Sequence, residues 1–297
     1  STQTNITNIE TIRFFAHFAD VVILSRELSL LQIKEITKEI KKQKIKGPSG
    51  NLVQIEIFAH GALCVAVSGK CYMSLHTTNS SANRGACIQN CRKTYIVTDK
   101  EDGHQFEIDN EHILSPKDLC TIGFLDRVLD SGINILKIEG RGRSPEYVKI
   151  TTQCYREAAD ALLEGTYNKE KVKGWMNKLE TVYNRGFWNG YYLGQKLGEW
   201  TEIYGSKATR KKIYLGKAKK YFTKIQVAEF NLETQQLKEG DNIFITGRTT
   251  GIIETVAGEM RLNDKQVKGV KKGDNFSMKL DYTVRPSDKL YKVVNSK

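Results

Sequence analysis

The 297-residue chain has no apolar run of the length a bilayer-spanning helix requires, so a soluble protein is expected. Its opening residues, STQTNITN, lack the basic-then-apolar pattern of a secretory signal. They also lack an initiator methionine, and a processed or truncated N-terminus is expected. No H-E-x-x-H helix and no G-x-S-x-G elbow occurs, which removes the signatures of zinc proteases and of serine hydrolases. No C-x2-C pair occurs either, the tight knuckle on which structural zinc normally rests. Low-complexity tracts and tandem repeats are missing as well.

What is present supports a proper core, with 39% hydrophobic residues in a chain long enough for one large domain and a small one. ADVVIL reads as a short buried strand. The segment RELSLLQIKEITKEIKKQ follows with Leu28, Leu31, Ile33, Ile36 and Ile40 at helical spacing. LVQIEIF is a second strand and INILKIEG a third. HILSPKDLCTIGFLDRVLDSG reads as a helix with Ser115 as N-cap, Pro116 at its first position and Gly132 as its stop. RSPEYVKITTQCYREAADALLEG has the same Ser-Pro start and ends at Gly165. The alternation predicts an α/β fold with parallel strands, a partial or truncated TIM-like (β/α) barrel carrying a cysteine-rich insertion. Earlier strand–helix units are expected to lie upstream of Ser1. Beyond an aromatic connection near Trp188, short alternating runs between turns predict a small antiparallel β-barrel. The expected domains are 1–203 and 204–297.

Net charge is +12, and its distribution is uneven. Residues 1–203 hold 26 basic against 24 acidic side chains, whereas 204–297 hold 20 against 10. A basic appended module suits a polyanion; a lysine-rich solvated surface is the plainer alternative.

Six cysteines stand at 64, 71, 87, 91, 120 and 154. The first four form C-x6-C-x15-C-x3-C within 28 positions. That concentration in a large chain points to a cytosolic metal or redox site rather than to staples. Iron–sulfur clusters accept wide spacings because the thiolates converge on the corners of a cubane. The spacing therefore favours a cluster over zinc, with disulfides third. Gly61, Gly69 and Gly85 would let backbone amides approach the sulfurs. Cys120 is an alternative ligand, and Cys154, in a helical stripe with Ile150 and Ala158, reads as packing.

Charged residues gather at the carboxyl ends of the strands, where parallel α/β folds host chemistry: Arg26 and Glu27, His60, Glu139 and Arg141. His60, Glu139 and Arg141 are the catalytic candidates, although such residues also pair with one another, and a lone histidine is usually an ordinary hydrogen-bonded one. Arg84 and Arg92 flank the third and fourth cysteines and suit a carboxylate or phosphate. His60 close to Cys64 leaves a Cys–His protease open, yet one nucleophile does not account for four cysteines.

EIFAHGALCVAVSGKCYMS, NRGACIQNCR and KIEGRGRS together resemble the signature of the collagenase-like peptidase family, peptidase family U32. The likeness is dense from about Ser1 to Gly165, and within the family it is greatest to the branch that makes 5-hydroxyuridine at the tRNA wobble position with prephenate. A relative hydroxylates a cytidine of ribosomal RNA, and more distant siblings bind a four-iron four-sulfur cluster through four cysteines. The resemblance implies that Cys64, Cys71, Cys87 and Cys91 hold such a cluster, with zinc as the alternative metal and Cys120 as the alternative fourth ligand. Glu56, Gly61 and Lys137, with His60, Glu139 and Arg141, match other motif letters. Family members carry further strand–helix units ahead of the equivalent of STQTN. The implied protein is a cytoplasmic tRNA hydroxylase with prephenate as co-substrate. Its C-terminal Lys211, Lys212, Lys219, Lys220, Lys271 and Lys272 would hold phosphates, while Tyr214, Tyr221 and Phe222 stack bases. Arg84 or Arg141 would grip prephenate carboxylates. A collagenase-like peptidase and a non-catalytic iron–sulfur accessory subunit are the alternatives.

Overall fold

A computed structural model describes the chain except residues 68, 97, 104–113, 197, 204 and 297. Tyr204, the expected start of the second domain, and His112 and Ile113, ahead of the expected Ser115 helix, lie outside the described residues. The chain forms two compact units, residues 1–142 with 150–207, and residues 143–149 with 208–297.

In the first unit, helix α1 (Ile9–Phe15) precedes strand β1 (Val21–Ile23). Helix α2 (Leu30–Lys42) follows; its N-terminus is closed by a capping box in which Ser29 and Gln32 satisfy each other's backbone. Ile33, Ile36 and Ile40 face the core as their spacing requires, but Leu31 is 78% exposed, on the opposite side of the helix. Strand β2 (Gln54–Gly61) is buried over most of its length, pairs parallel with β1, and pairs parallel on its other side with β4 (Ile135–Ile138). Short helix α3 (Met73–Thr78) lies in the cysteine-rich insertion.

The expected Ser115–Gly132 helix does not form as one element. Residues 118–120 are strand β3, followed by a 3-10 turn and a short helix α4 (Leu125–Asp130). Distant partners outcompete the local Ser-Pro signal. Pro116 bridges to Trp200, the Asp118 amide donates to the Gly186 carbonyl, and the Asp118 carboxylate accepts from buried Arg185. Strand β3 runs antiparallel to β2, with His60 opposite Cys120, and parallel to β5 (Phe187–Trp188), so the sheet is mixed rather than all parallel. Helix α5 (Pro145–Leu163) starts and stops where its Ser-Pro and Gly165 signals place it; α6 (Lys169–Glu180) follows. The core joins Ile55, Ile57 and Ala59 of β2 to Ile33, Cys154, Ala158 and Leu179 of the helices.

The second unit is an antiparallel sheet domain. Its strands are β6 (Arg210–Phe222), β7 (Val227–Leu232), β8 (Gln236–Lys238), β9 (Asn242–Gly247), β10 (Gly251–Val256), β11 (Met260–Leu262), β12 (Lys265–Val267), β13 (Gly269–Lys271), β14 (Asn275–Lys279) and β15 (Lys289–Asn295). Eight run in the order β10-β9-β15-β6-β7-β14-β11-β12, and β13 pairs with β8. Among the described residues no pairing joins β10 to β12, so the ladder is not a closed barrel. Alternating residues of β7, β9 and β14 bury Phe230, Ile243, Ile245, Phe276 and Met278. Gly216 lets β6 meet β7 closely, since a Cβ there would fall 1.9 Å from the Asn231 carbonyl oxygen.

Candidate functional site

The four clustered cysteines come from separate pieces of the insertion. Cys64 lies three residues beyond β2, Cys71 two residues ahead of α3, Cys87 beyond the turn at 81–86, and Cys91 in the 3-10 turn Asn90–Arg92. They nonetheless line one cavity of about 150 Å³, together with Arg26, Thr2, Gln3, Ser74 and Asn90. All six thiols of the chain are free; Cys87 is exposed, and Cys64, Cys71 and Cys91 are half-buried.

Local contacts fix these loops. Gly69 turns the chain between Cys64 and Cys71 with φ +77°, where a Cβ would come 2.9 Å from the Gln3 side chain. The Asn90 amide nitrogen donates to the Met73 carbonyl at 3.2 Å and to Thr77 Oγ1 at 2.5 Å, tying the Cys91 turn to α3. Ser74 Oγ donates to Cys87 Sγ at 3.8 Å, and the Gln89 amide reaches the same sulfur at 3.4 Å. The expected glycine amide is used elsewhere at Gly85, whose N–H donates to the Ala82 carbonyl. Burial pushes the Cys91 thiol up; the adjacent Arg92 charge pulls it down, and the other three cysteines add to the rise.

A single tetrahedral zinc needs thiolates about 3.8 Å apart, from Zn–S bonds of about 2.3 Å. Among the described residues no three His, Cys, Asp or Glu side chains form a group able to hold one metal ion. Four thiols lining one cavity are a donor set whose chemistry suits a zinc ion or an iron–sulfur cluster.

Cys120 stands in the core instead, its thiol raised to about 11 by burial, with Met176 Sδ at 3.7 Å and Tyr155 Oη at 3.8 Å. Cys154 packs inside α5 with its thiol also raised to about 11 by burial, near the Trp175 carbonyl. His60 is buried beside Cys120, its ring 5.5 Å from that of Tyr155 and 5.4 Å from that of Phe187. It belongs to the core rather than to the wall of the cysteine cavity, because β2 turns that side chain inward.

The remaining candidates divide. The Glu139 carboxylate accepts the Arg141 amide at 2.8 Å, and the Arg141 guanidinium donates to the Gly85 carbonyl, so both border the turn on which exposed Arg84 stands. Glu56 pairs with Lys137 at 3.3 Å across β2 and β4. Arg92 is not turned toward a ligand. It donates to the carbonyls of Leu63 and Pro116, both at 2.7 Å, and to Ser115 Oγ at 2.9 Å; burial opposes its charge. The guanidinium on the cavity wall is that of Arg26, visible in sequence only as one charged residue at a strand end.

In the second unit Lys211, Lys219, Lys220, Lys271 and Lys272 are exposed. Lys212 is not available to phosphates: it pairs with Glu146 at 2.6 Å and lies 5.0 Å above the Tyr291 ring. Tyr214 donates to Glu233 and Tyr221 to the Leu280 carbonyl, which makes both architectural, while Phe222 is 38% exposed beneath Lys220. Sequence reading missed a transverse polar row. Thr246, Lys289, Lys217, Asn231 and Asn275 stand opposite one another across β9, β15, β6, β7 and β14 and share one face. Like charges directly opposite destabilise a ladder, and the Glu233 carboxylate, 3.6 Å from Lys217, offsets part of that cost. Only known pairing could have revealed this row.

A loop-built four-thiol cavity on an α/β unit, with a lysine-rich antiparallel sheet unit following it in sequence, defines a cysteine-site protein with an appended basic module. Residues 1–202 match the family described as peptidase family U32, and the chain belongs to that family. It is 54% identical over 292 residues to a collagenase of Porphyromonas gingivalis, covering 98% of this chain and 70% of that one. It is 39% identical over 296 residues to an uncharacterized protease of Methanocaldococcus jannaschii, again covering 98% and 70%. The tRNA hydroxylation protein P1 of Bacillus subtilis is 31% identical over 269 residues, covering 87% of this chain and 61% of that protein.

Proposed function

We propose that the chain is a tRNA-modifying enzyme that hydroxylates a wobble uridine at its 5-position, with prephenate as hydroxyl donor. The observation that carries this reading is the convergence of Cys64, Cys71, Cys87 and Cys91 on one cavity, with Cys120 in the core. These four residues would hold a four-iron four-sulfur cluster, which supplies one-electron chemistry when bound. Arg84 and Arg141, at the turn beside Cys87, receive the donor's carboxylates; Arg141 has guanidinium N–H groups beyond the one given to Gly85. Lys217, Lys289 and the exposed lysines of the second unit hold RNA phosphates, and Phe222 offers a stacking face. The likeness to a tRNA hydroxylation protein supports this reading.

Within it, the first unit is a partial (β/α) barrel, supported by the parallel β1–β2–β4 pairing, and the second is an antiparallel sheet domain built on an eight-strand ladder. Six free thiols suit the reducing cytoplasm. No helix among the described residues is long and apolar enough to cross a membrane.

A second reading, a peptidase, is favoured by the collagenase relative. The site supports it less well. His60 is buried in the core and is not among the residues lining the cavity of Cys64, and Cys120, the cysteine opposite it, is buried with its thiol raised, the opposite of what a nucleophile needs. Nucleoside mass spectrometry decides between them. Transfer RNA from cells lacking the protein should regain 5-hydroxyuridine when the full-length protein is restored. Unmodified tRNA, with gelatin cleavage that Cys64→Ala abolishes, would establish the peptidase instead.

A further inference from the structure

The two peptide carbonyls immediately before Cys64 each accept from a different arginine. Arg26 Nη1 donates to the Ala62 carbonyl at 3.0 Å, and Arg92 Nη2 donates to the Leu63 carbonyl at 2.7 Å. The arginines come from different sides. Arg26 follows β1 and its guanidinium carbon lies over the Phe58 ring, 4.8 Å from its centroid. Arg92 follows Cys91 directly, and its second nitrogen is anchored at Ser115 and Pro116. The Cys64 loop is thereby tied to the end of β1 through one guanidinium and to the Cys91 turn through the other.

We infer that Arg26 and Arg92 form a guanidinium clamp that positions Cys64 against Cys91 and surrounds the thiolate site with fixed positive charge. Neither arginine is a ligand or a catalytic residue; both act through the cysteines. Geometry and charge make separate demands. The planar guanidinium holds the Ala62 or Leu63 carbonyl at a fixed angle, and that of Arg92 does so while its other nitrogen is anchored at Ser115 and Pro116, which lysine's single ammonium cannot reproduce. The charge opposes the negative charge that four thiolates and a reduced cluster concentrate in a small cavity, which raises the reduction potential of a bound group. This inference rests on the cluster reading for its charge arm and is independent of that reading for its positioning arm.

The test uses full-length Arg26→Gln, Arg92→Gln and the two lysine variants, each checked for folding by circular dichroism. Anaerobically reconstituted protein is titrated for its midpoint potential. Metal-free protein is treated with iodoacetamide, and Cys64 alkylation is followed by peptide mass spectrometry. Glutamine variants should show a lowered potential, and the lysine variants, which keep the charge that favours thiolate, about tenfold faster Cys64 alkylation, the effect of losing one positioned charge-assisted hydrogen bond. Lysine variants should recover the potential but not the slow alkylation. Glutamine variants with unchanged potential and lysine variants with unchanged alkylation would overturn the clamp, as would a lowered potential that lysine fails to recover. If the Arg92 variants do not fold, those of Arg26 decide alone. If wild-type protein takes up neither iron nor sulfide, the cluster reading falls. Alkylation then settles the positioning arm: faster in the lysine variants supports it, and unchanged overturns it.

Discussion

In the first unit the reactive groups sit on loops, and each loop is held by side chains reaching backbone atoms: Asn90 to Met73, Arg92 to Leu63, Arg26 to Ala62. In the second unit the charged groups stand on long paired strands, where register alone sets Lys217 opposite Lys289. The first arrangement concentrates soft donors in a cavity and depends on a few individual contacts. The second spreads single charges over one face of a paired sheet. A site for a polynuclear group needs the former, and a surface for an extended polyanion needs the latter.

The contrast can be broken most sharply at the thiols. With its thiol near 11, about a thousandth of Cys120 is thiolate at pH 8, against about a quarter for an ordinary cysteine near 8.5. Since thiolate is the reacting form, native metal-free protein should label at Cys87 first. Cys120 and Cys154 should label more than about a hundredfold more slowly, quickening only as pH climbs toward 11. Rapid labelling of Cys120 at pH 8 would erase the distinction between cavity and core cysteines.

Next in size is the packing of the second unit. Phe230→Ala, which empties the ring stacked 5.5 Å from Phe276, should cost about 3–5 kcal/mol in a denaturant titration of that unit. Iron uptake by the first unit should survive it; a parallel loss would show that the two regions do not work separately. A smaller effect separates the possible fourth ligands. Cys91→Ala should retain about tenfold less iron after desalting, whereas Cys120→Ala should retain the wild-type amount. The smallest effect concerns RNA. Replacing Lys217 and Lys289 by Gln should reduce the slope of log affinity against log salt by about 1.4. Lys212→Gln should leave that slope unchanged, because its charge is already spent on Glu146.

Much of this was legible in the sequence where the signal is local. The helical spacing of Ile33, Ile36 and Ile40, the Pro145 start and Gly165 stop of α5, and the alternation of β7 and β14 all act within a few residues. The four cavity cysteines were legible because their number and spacing are chemical rather than structural signals. What failed depended on distant partners. Ser115 and Pro116 promise a helix start locally, yet Trp200, Gly186 and Arg92 hold that segment extended. His60 looked poised at a strand end until β3 folded back antiparallel over it. Arg92 looked like an anion ligand until its fork proved to be occupied by backbone carbonyls from two other segments.

On the proposed function, Cys64, Cys71, Cys87 and Cys91 together hold one polynuclear iron–sulfur group. Iron and acid-labile sulfide counted per chain in anaerobically purified full-length protein test it most directly. The expected result is a brown protein with about four of each, as four thiolates around a cubane require. A colourless protein carrying a single zinc, or no metal, would contradict it.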